Sequence, residues 1–457
     1  MKQINNGNWL DPKEAEALRD ELFYQRAVHA YMTMLPALNT IGMRDGSEAT
    51  FGAGYNVLPI WKDRMDSRTW VPTPNADVIY SMSYLDLKKD GPLVVAAPHD
   101  VIGMFTDFLQ RTITDVGLIG PDRARGGLYL LLPPGYDGPV PQGYFTFRSS
   151  TYNVFLFFRT IMKKGQGGPD PAPAVALAEQ TRVYPLWAAE KDVQPMTFPN
   201  ASGTRVNMMY PVDHVFWSKL KEFVDYEPVA AIDPELRGVL ASIGIVKGQP
   251  FKPGAKEQEL LKKAVETAPR MIMALRQLGR PDGRDRYYKD RQYLNTWAGG
   301  TAEWLQDGYL DVNQRASYFQ IAYSTAPGMV MRTLGAGSKY PFTVRDANGE
   351  VLSGSHVYKL HLPPTRRPRC SGRSRRTTSP TGRWWRRRNS CRRSTASTRS
   401  RRTTMAPSTS TSPPRCRGMF PRRTGSRRSP RATSSWRCAS TAPTWSSSTR
   451  PGSPTTS

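Results

Sequence analysis

A chain of 457 residues is long enough for two or three domains with real cores, and a formal net charge of +26 would suggest a polyanionic partner if it were spread evenly. It is not: residues 365–457 hold 24 of the 64 basic residues, all Arg, and none of the 38 acidic ones, so the preceding body is close to neutral. All four cysteines (Cys370, Cys391, Cys416, Cys438) lie in that last stretch without CxxC spacing, and the five histidines (His29, His99, His214, His356, His361) form no HExxH, which argues against a disulfide framework or a structural metal in the body.

The opening "MKQINNGNWLDPKEAE" has no apolar core of a signal peptide, and no run approaches the roughly 18 apolar residues of a spanning helix. A cytoplasmic chain without a membrane span is expected. Asp11-Pro12 followed by Glu14 is a helix start, with Asp as N-cap and Pro in the first turn. The helix is predicted to end at Pro36, giving an N-terminal helical arm over 1–36.

Residues 37–162 read as a first β-rich module. Short apolar or alternating runs such as "DVIYSMSYLDL", "PLVVAA", "GLYLLLPPG" and "NVFLFF" are separated by Gly, Pro and Asp turns. Close spacing without long intervening helices predicts an antiparallel sandwich or barrel. Residues 163–310 start with the loop "KKGQGGPDPAP" and turn mostly helical from Val212, Asp233 and Ala255, an insertion or linker. A second β-rich module starts at 311, with a hairpin in 340–364 turning at Asp346-Ala347-Asn348-Gly349. The expected fold is therefore α+β, mainly β: two jelly-roll or β-sandwich-like modules, an N-terminal helix and a helical insertion.

The second module is left incomplete, because from Thr365 onward there is no Leu, Ile or Val. Such a segment buries too little apolar area to offset its ordering entropy, so 365–457 is expected to be disordered. One reading is an Arg/Ser-rich arm that binds phosphate backbones. It is disfavoured by the restricted alphabet of Arg, Ser, Thr and Pro, which is what a GC-rich gene yields when read out of register. With each codon's first two bases taken as the second and third of another, "TMAPSTSTSP" becomes a Gly-containing turn followed by alternating polar and aliphatic residues, a strand pattern. "RCSG" from Arg369 permits Ala-Leu-Phe-Trp. An out-of-frame translation after about Pro364 is the preferred reading.

"TPNADVIYSMSYLDL" (Thr73 to Leu87), "GLYLLLPPGYDGPVP" (Gly127 to Pro141) and "RSSTYNVFLFFRT" (Arg148 to Thr160) resemble the N-terminal module of an uncharacterised, largely bacterial two-module family, domain of unknown function 1254 followed by domain of unknown function 1214. "IGIVKGQPFKP" (Ile243 to Pro253) is similar to its linker, and "RDANGEVLSGSHVYKLHLPP" (Arg345 to Pro364) to the start of its C-terminal module. The resemblance implies β-rich modules, a homo-oligomer when the C-terminal module is intact, and no established reaction. It also implies a periplasmic or secreted location for relatives that carry export signals.

Candidate chemistry concentrates in the first module. Asn75 and Asp77 are two apart and face one side of an extended segment that enters a strand with Tyr80, so they fit a polar substrate; the alternative is a capped turn satisfying local N–H groups. Asp107 and Arg111 in "FTDFLQRT" fit a pair across a strand end, and Arg148, Asn153 and Arg159 surround the apolar strand "VFLFF". Asp77, Tyr80 and Asp107 are the catalytic candidates; Asn75, Arg111, Arg148, Asn153 and Arg159 are the substrate-binding ones. Arg159 requires an acceptor, and Asp77 or Asp107 is the expected partner. The aromatics of 284–310 fit either a stacking surface or helix-to-sheet packing.

No Walker loop, GxGxxG or GxSxG occurs, so no cofactor is assigned. The preferred function is an enzyme of hydrolase or lyase type on a small organic or carbohydrate-like substrate. The alternatives are a non-catalytic oligomeric or ligand-binding β-protein and, disfavoured, nucleic-acid binding through the basic tail.

Overall fold

The computed structural model describes residues 9–66, 69–71, 73–165, 168–188, 193–331 and 340–361. The tail expected to be disordered and out of frame, 365–457, lies outside the described residues. No helix among them is long and apolar enough to cross a membrane.

Asp11 caps the first helix as expected, its Oδ1 accepting the Lys13 N–H at 3.0 Å. The helix α1 (Pro12–Phe51) does not end at Pro36 but runs through it. A proline inside a helix loses one backbone hydrogen bond and costs about 3 kcal/mol. Tyr31, Met34, Leu35, Leu38 and Ile41 are all buried around it, and each side chain brings roughly 1.5–3 kcal/mol on burial, so packing wins. The helix stops at Gly52, whose φ of 94° breaks the helical path while its N–H still bonds the Glu48 carbonyl.

The strands then follow quickly: β1 (Val78–Asp86), a helical turn α2 (Leu87–Asp90), β2 (Leu93–Ala97), β3 (Val101–Asp107), β4 (Thr112–Val116), β5 (Gly127–Leu132), β6 (Phe145–Arg148) and β7 (Asn153–Ile161). After a small ribbon, β8 (Lys163–Gly165) with β9 (Gly168–Asp170), come α3 (Ala172–Ala178) and β10 (Arg182–Pro185). They form two four-stranded sheets, ordered β1-β7-β3-β4 and β10-β2-β5-β6. All pairs within them are antiparallel except β5 with β6. The second sheet thus takes its edge strand β10 from beyond residue 162.

The apolar runs are explained by what covers them. Val154, Leu156 and Phe158 of β7 share a core with Val95, Tyr129 and Leu131 of the opposite sheet, as in a sandwich. The alternate residues Phe155 and Phe157 face a second core built from α1 and the later helices. Both faces of β7 are buried, so its pattern is continuously apolar rather than alternating.

The expected helical stretch contains α4 (Val215–Tyr226), α5 (Pro234–Ser242) and α6 (Ala255–Leu278). Trp217 anchors α4 on α6 through its indole N–H to the Leu261 carbonyl at 3.1 Å. Beyond lie the short strands β11 (Leu294–Asn295), β12 (Leu305–Gln306) and β13 (Tyr309–Leu310), then α7 (Val312–Phe319), α8 (Pro327–Val330) and β14 (Pro341–Phe342), which pairs with β11. The turn expected at Asp346–Gly349 is present, closed by a bridge between Arg345 and Val351. Of the aromatics in 284–310, Trp297 and Trp304 are buried and stack at 6.2 Å, against Tyr318 of α7.

Candidate functional site

The antiparallel register of β1 on β7 sorts all of the predicted residues but Arg148 into two groups. Asp86 faces Asn153 at one end, and Val78 faces Ile161 at the other. Asp107, Arg111 and Asn153 lie toward the first end; Asn75, Asp77, Tyr80 and Arg159 lie toward the second.

At the first end every predicted group is engaged. Asp107 is buried and accepts the Arg111 Nε–H at 2.6 Å, the Arg111 backbone N–H at 2.8 Å and the Ser150 hydroxyl at 2.5 Å. Arg111 also donates to the Ala231 carbonyl. Asp107 is thus held by Arg111 and Ser150, not by Arg159. Asn153 gives its amide Nδ2–H to Glu227 at 2.6 Å. The same carboxylate accepts the Tyr152 and Asn153 backbone N–H groups, clamping the end of α4 to the start of β7. Burial pushes the Glu227 carboxyl up to about 7, against the opposing pull of these hydrogen bonds. Glu227 carried no signal in the sequence, because its partners are more than 70 residues away.

Nearby, a small cleft of about 10 Å³, open to solvent, separates Ser47 and Glu48 of α1 from Ser83 and Tyr84 of β1. That falls below the roughly 300 Å³ at which ligand pockets begin. Arg148 belongs to neither end: it sits on β6 and donates to the Pro133 and Tyr136 carbonyls at 3.1 and 2.7 Å, fixing the 133–136 turn.

At the second end Asn75 closes a capped turn, its Oδ1 accepting the Asp77 N–H at 2.9 Å. Asp77 is half-buried, 3.9 Å from the Arg64 guanidinium. Three residues on, Tyr80 is buried opposite Arg159, with its ring edge-on to Phe157 at 4.9 Å. The Arg159 guanidinium lies over the Phe157 ring, 4.9 Å from its centroid. Its Nε is buried without a hydrogen-bond partner. Among the described residues Arg159 makes no hydrogen bond or ion pair.

Residues absent from the sequence prediction complete this end. Tyr323 packs on Phe157 at 5.6 Å. Tyr318 donates to the Ser324 carbonyl at 2.7 Å. Burial raises both phenols, and the Arg159 charge opposes the rise in each case. Asp115 on β4 accepts the Gly328 N–H at 2.9 Å; burial raises its carboxyl, with Arg159 lowering it and Glu303 raising it. The one sequence signal for Asp115 was a carboxylate among the apolar positions of "TITDV"; Tyr318 and Tyr323 had none. Ile102, opposite Arg159 on β3, is 41 % exposed and forms the open side.

The structure is thus a helix-flanked β-sandwich in which Tyr80, Phe157 and Tyr323 gather on the helix-covered face of one sheet, next to Arg159. Residues 55–185, which span the sandwich strands, match the family model described as "Protein of unknown function (DUF1254)". A similar solved structure is the VPA0106 protein from Vibrio parahaemolyticus, 17 % identical, covering 66 % of this chain and 68 % of that one with a TM-score of 0.43. No curated protein matches the chain. Among the described residues no group of three or more His, Cys, Asp or Glu is arranged to hold a metal.

Proposed function

We propose that the protein is an enzyme of hydrolase or lyase type acting on a small organic or carbohydrate-like molecule bound at Arg159. The observation that carries this reading is the Arg159 guanidinium: it has no protein acceptor among the described residues, and its charge acts on Asp115, a carboxyl that burial holds above its ordinary range. An arginine taken partly out of water without a partner is costly, and a bound substrate would supply the missing acceptor. Asp115 is then the proton-transfer group, and Tyr80 and Tyr323 are phenols able to orient the substrate. Asp77 stands at the margin, with Asn75 fixing its turn. Asp107, already saturated by Arg111 and Ser150, takes a structural part, as do Asn153 and Arg148.

The hydrogen bond from Gly328 to Asp115 favours a second reading, in which the same face binds a ligand without turning it over. An activity screen of the wild type beside Asp115→Asn and Arg159→Met separates the two. A general acid or base contributes about 10²–10⁴-fold, so catalysis predicts a loss of that size in Asp115→Asn with binding retained. Binding without turnover across the screen would leave the ligand-binding reading.

We further infer that the chain after about Pro364 is an out-of-frame translation of a second module resembling domain of unknown function 1214, which when intact would support a homo-oligomer. The support is compositional: the absence of Leu, Ile and Val and the strand pattern of the shifted frame. Resequencing the gene tests it. Neither shifted frame staying open with strand-like patterning would end the idea.

A further inference from the structure

We propose that the cleft between α1 and β1 binds a single monovalent metal cation, sodium or potassium, on the Glu48 carboxylate with the Ser47 and Tyr84 hydroxyls. The inference is independent of the reading at Arg159 and assigns a second site.

The first argument is the donor set. Ser47 and Glu48 line the cleft from the last turns of α1, and Ser83 and Tyr84 line it from β1. All four side chains offer oxygen, and no Arg, Lys or His is among the lining residues. An all-oxygen set is the chemistry of a hard cation. One carboxylate among neutral hydroxyls balances one positive charge. A calcium ion takes about 6–8 oxygen ligands and a magnesium ion keeps several waters, so neither matches so small a set.

The second argument is unmet polarity. Tyr84 is 6 % exposed, and its hydroxyl is buried without a hydrogen-bond partner. Glu48 is the carboxylate whose charge acts on that phenol. Burial raises the Glu48 carboxyl, and Arg44, the basic group that acts on it most, is itself paired with Asp45 at 2.8 Å. Ser83 donates to the Val57 carbonyl at 2.8 Å, which leaves its oxygen able to accept. A buried polar atom without a partner is costly, and a cation beside the carboxylate would engage the phenol oxygen as well.

The third argument is size. A cleft of about 10 Å³ has room for roughly one water-sized occupant, which a dehydrated sodium or potassium ion is and an organic cation is not. Its opening to solvent lets the ion exchange. A water molecule has the same size, and the experiment separates the two.

The test compares the full chain in sodium, potassium and choline chloride at equal ionic strength by melting temperature, and crystals soaked in rubidium chloride by anomalous scattering. Sodium or potassium is expected to raise the melting temperature by about 2 °C over choline, as for an ion at several times its Kd. Rubidium is expected to give an anomalous peak between Glu48 and Tyr84. Glu48→Gln, which keeps the shape and removes the charge, should abolish both signals, and Tyr84→Phe should at least halve the melting shift. Each variant is compared with itself across the three salts, so a change in its basal stability does not obscure the result. Equal melting in all three salts with no rubidium peak in the cleft overturns the proposal and leaves a water there. A sodium or potassium effect that survives intact in both variants places the ion elsewhere and overturns it as well.

Discussion

Glu227 shows how a single buried group sets a pH dependence. Its carboxyl titrates at about 7 in the folded protein, above the ordinary carboxylate value, so between those values the folded state holds more protons than the unfolded one. The stability tied to this group is complete below the unfolded value and is lost as pH rises through about 7. Melting temperature is therefore expected to fall between pH 5 and pH 8, by an amount worth on the order of 3 kcal/mol at most. Glu227→Gln should flatten that slope; an identical slope in the variant would remove Glu227 as its source. Asp122 makes a second residue-level prediction. It is buried and accepts the Gly117 and Gly126 N–H groups and the Tyr129 hydroxyl, the last at 2.6 Å. Asp122→Ala orphans all three donors and is expected to cost about 2–4 kcal/mol by urea denaturation. Residues four apart, such as Asp107 and Arg111, were legible as a pair in the sequence. So was Arg159 as a charge breaking an apolar strand. The contacts of Glu227 with Tyr152 and Asn153, and of Asp115 with Gly328, join residues 70 to over 200 positions apart, and spacing carries no trace of them.

Elements were legible where one local rule governed them. Strands β1, β2, β5 and β7 follow from apolar runs bounded by turn residues, and Asp11-Pro12 marks the start of α1. The end of α1 was not legible, because the local penalty of Pro36 is smaller than the burial on either side of it. The parallel pairing of β5 with β6 likewise comes from tertiary closure of the second sheet. Helix α1 also carries glycines whose role only packing explains. A Cβ on Gly46 would lie 1.8 Å from the Asn207 carbonyl oxygen, and one on Gly42 would lie 2.5 Å from that of Met209. Glycine to alanine inside a helix ordinarily stabilises by roughly 0.5–1 kcal/mol. At Gly46 the sign should reverse, since the segment after Arg205 has to move off the helix. A Gly46→Ala protein as stable as the wild type would show that the 207–209 backbone yields freely.

At the scale of the whole molecule, charge and chemistry separate. The Arg-rich 365–457 segment carries nearly all of the net charge, yet the sandwich and the site proposed at Arg159 lie in the nearly neutral body. The full chain is expected to retard DNA in a gel at low salt without sequence preference, and truncation after Pro364 should abolish the shift. Ligand response at Arg159 should survive the same truncation; its loss would tie the site to the tail. The arginine run, the most conspicuous feature of the sequence, thus points away from the residues that fit a small-molecule site. The measurement that bears most directly on that site is the activity screen of the wild type beside Asp115→Asn and Arg159→Met. The expected result is turnover by the wild type that falls about 10²–10⁴-fold in Asp115→Asn. Turnover that neither substitution changes would contradict it.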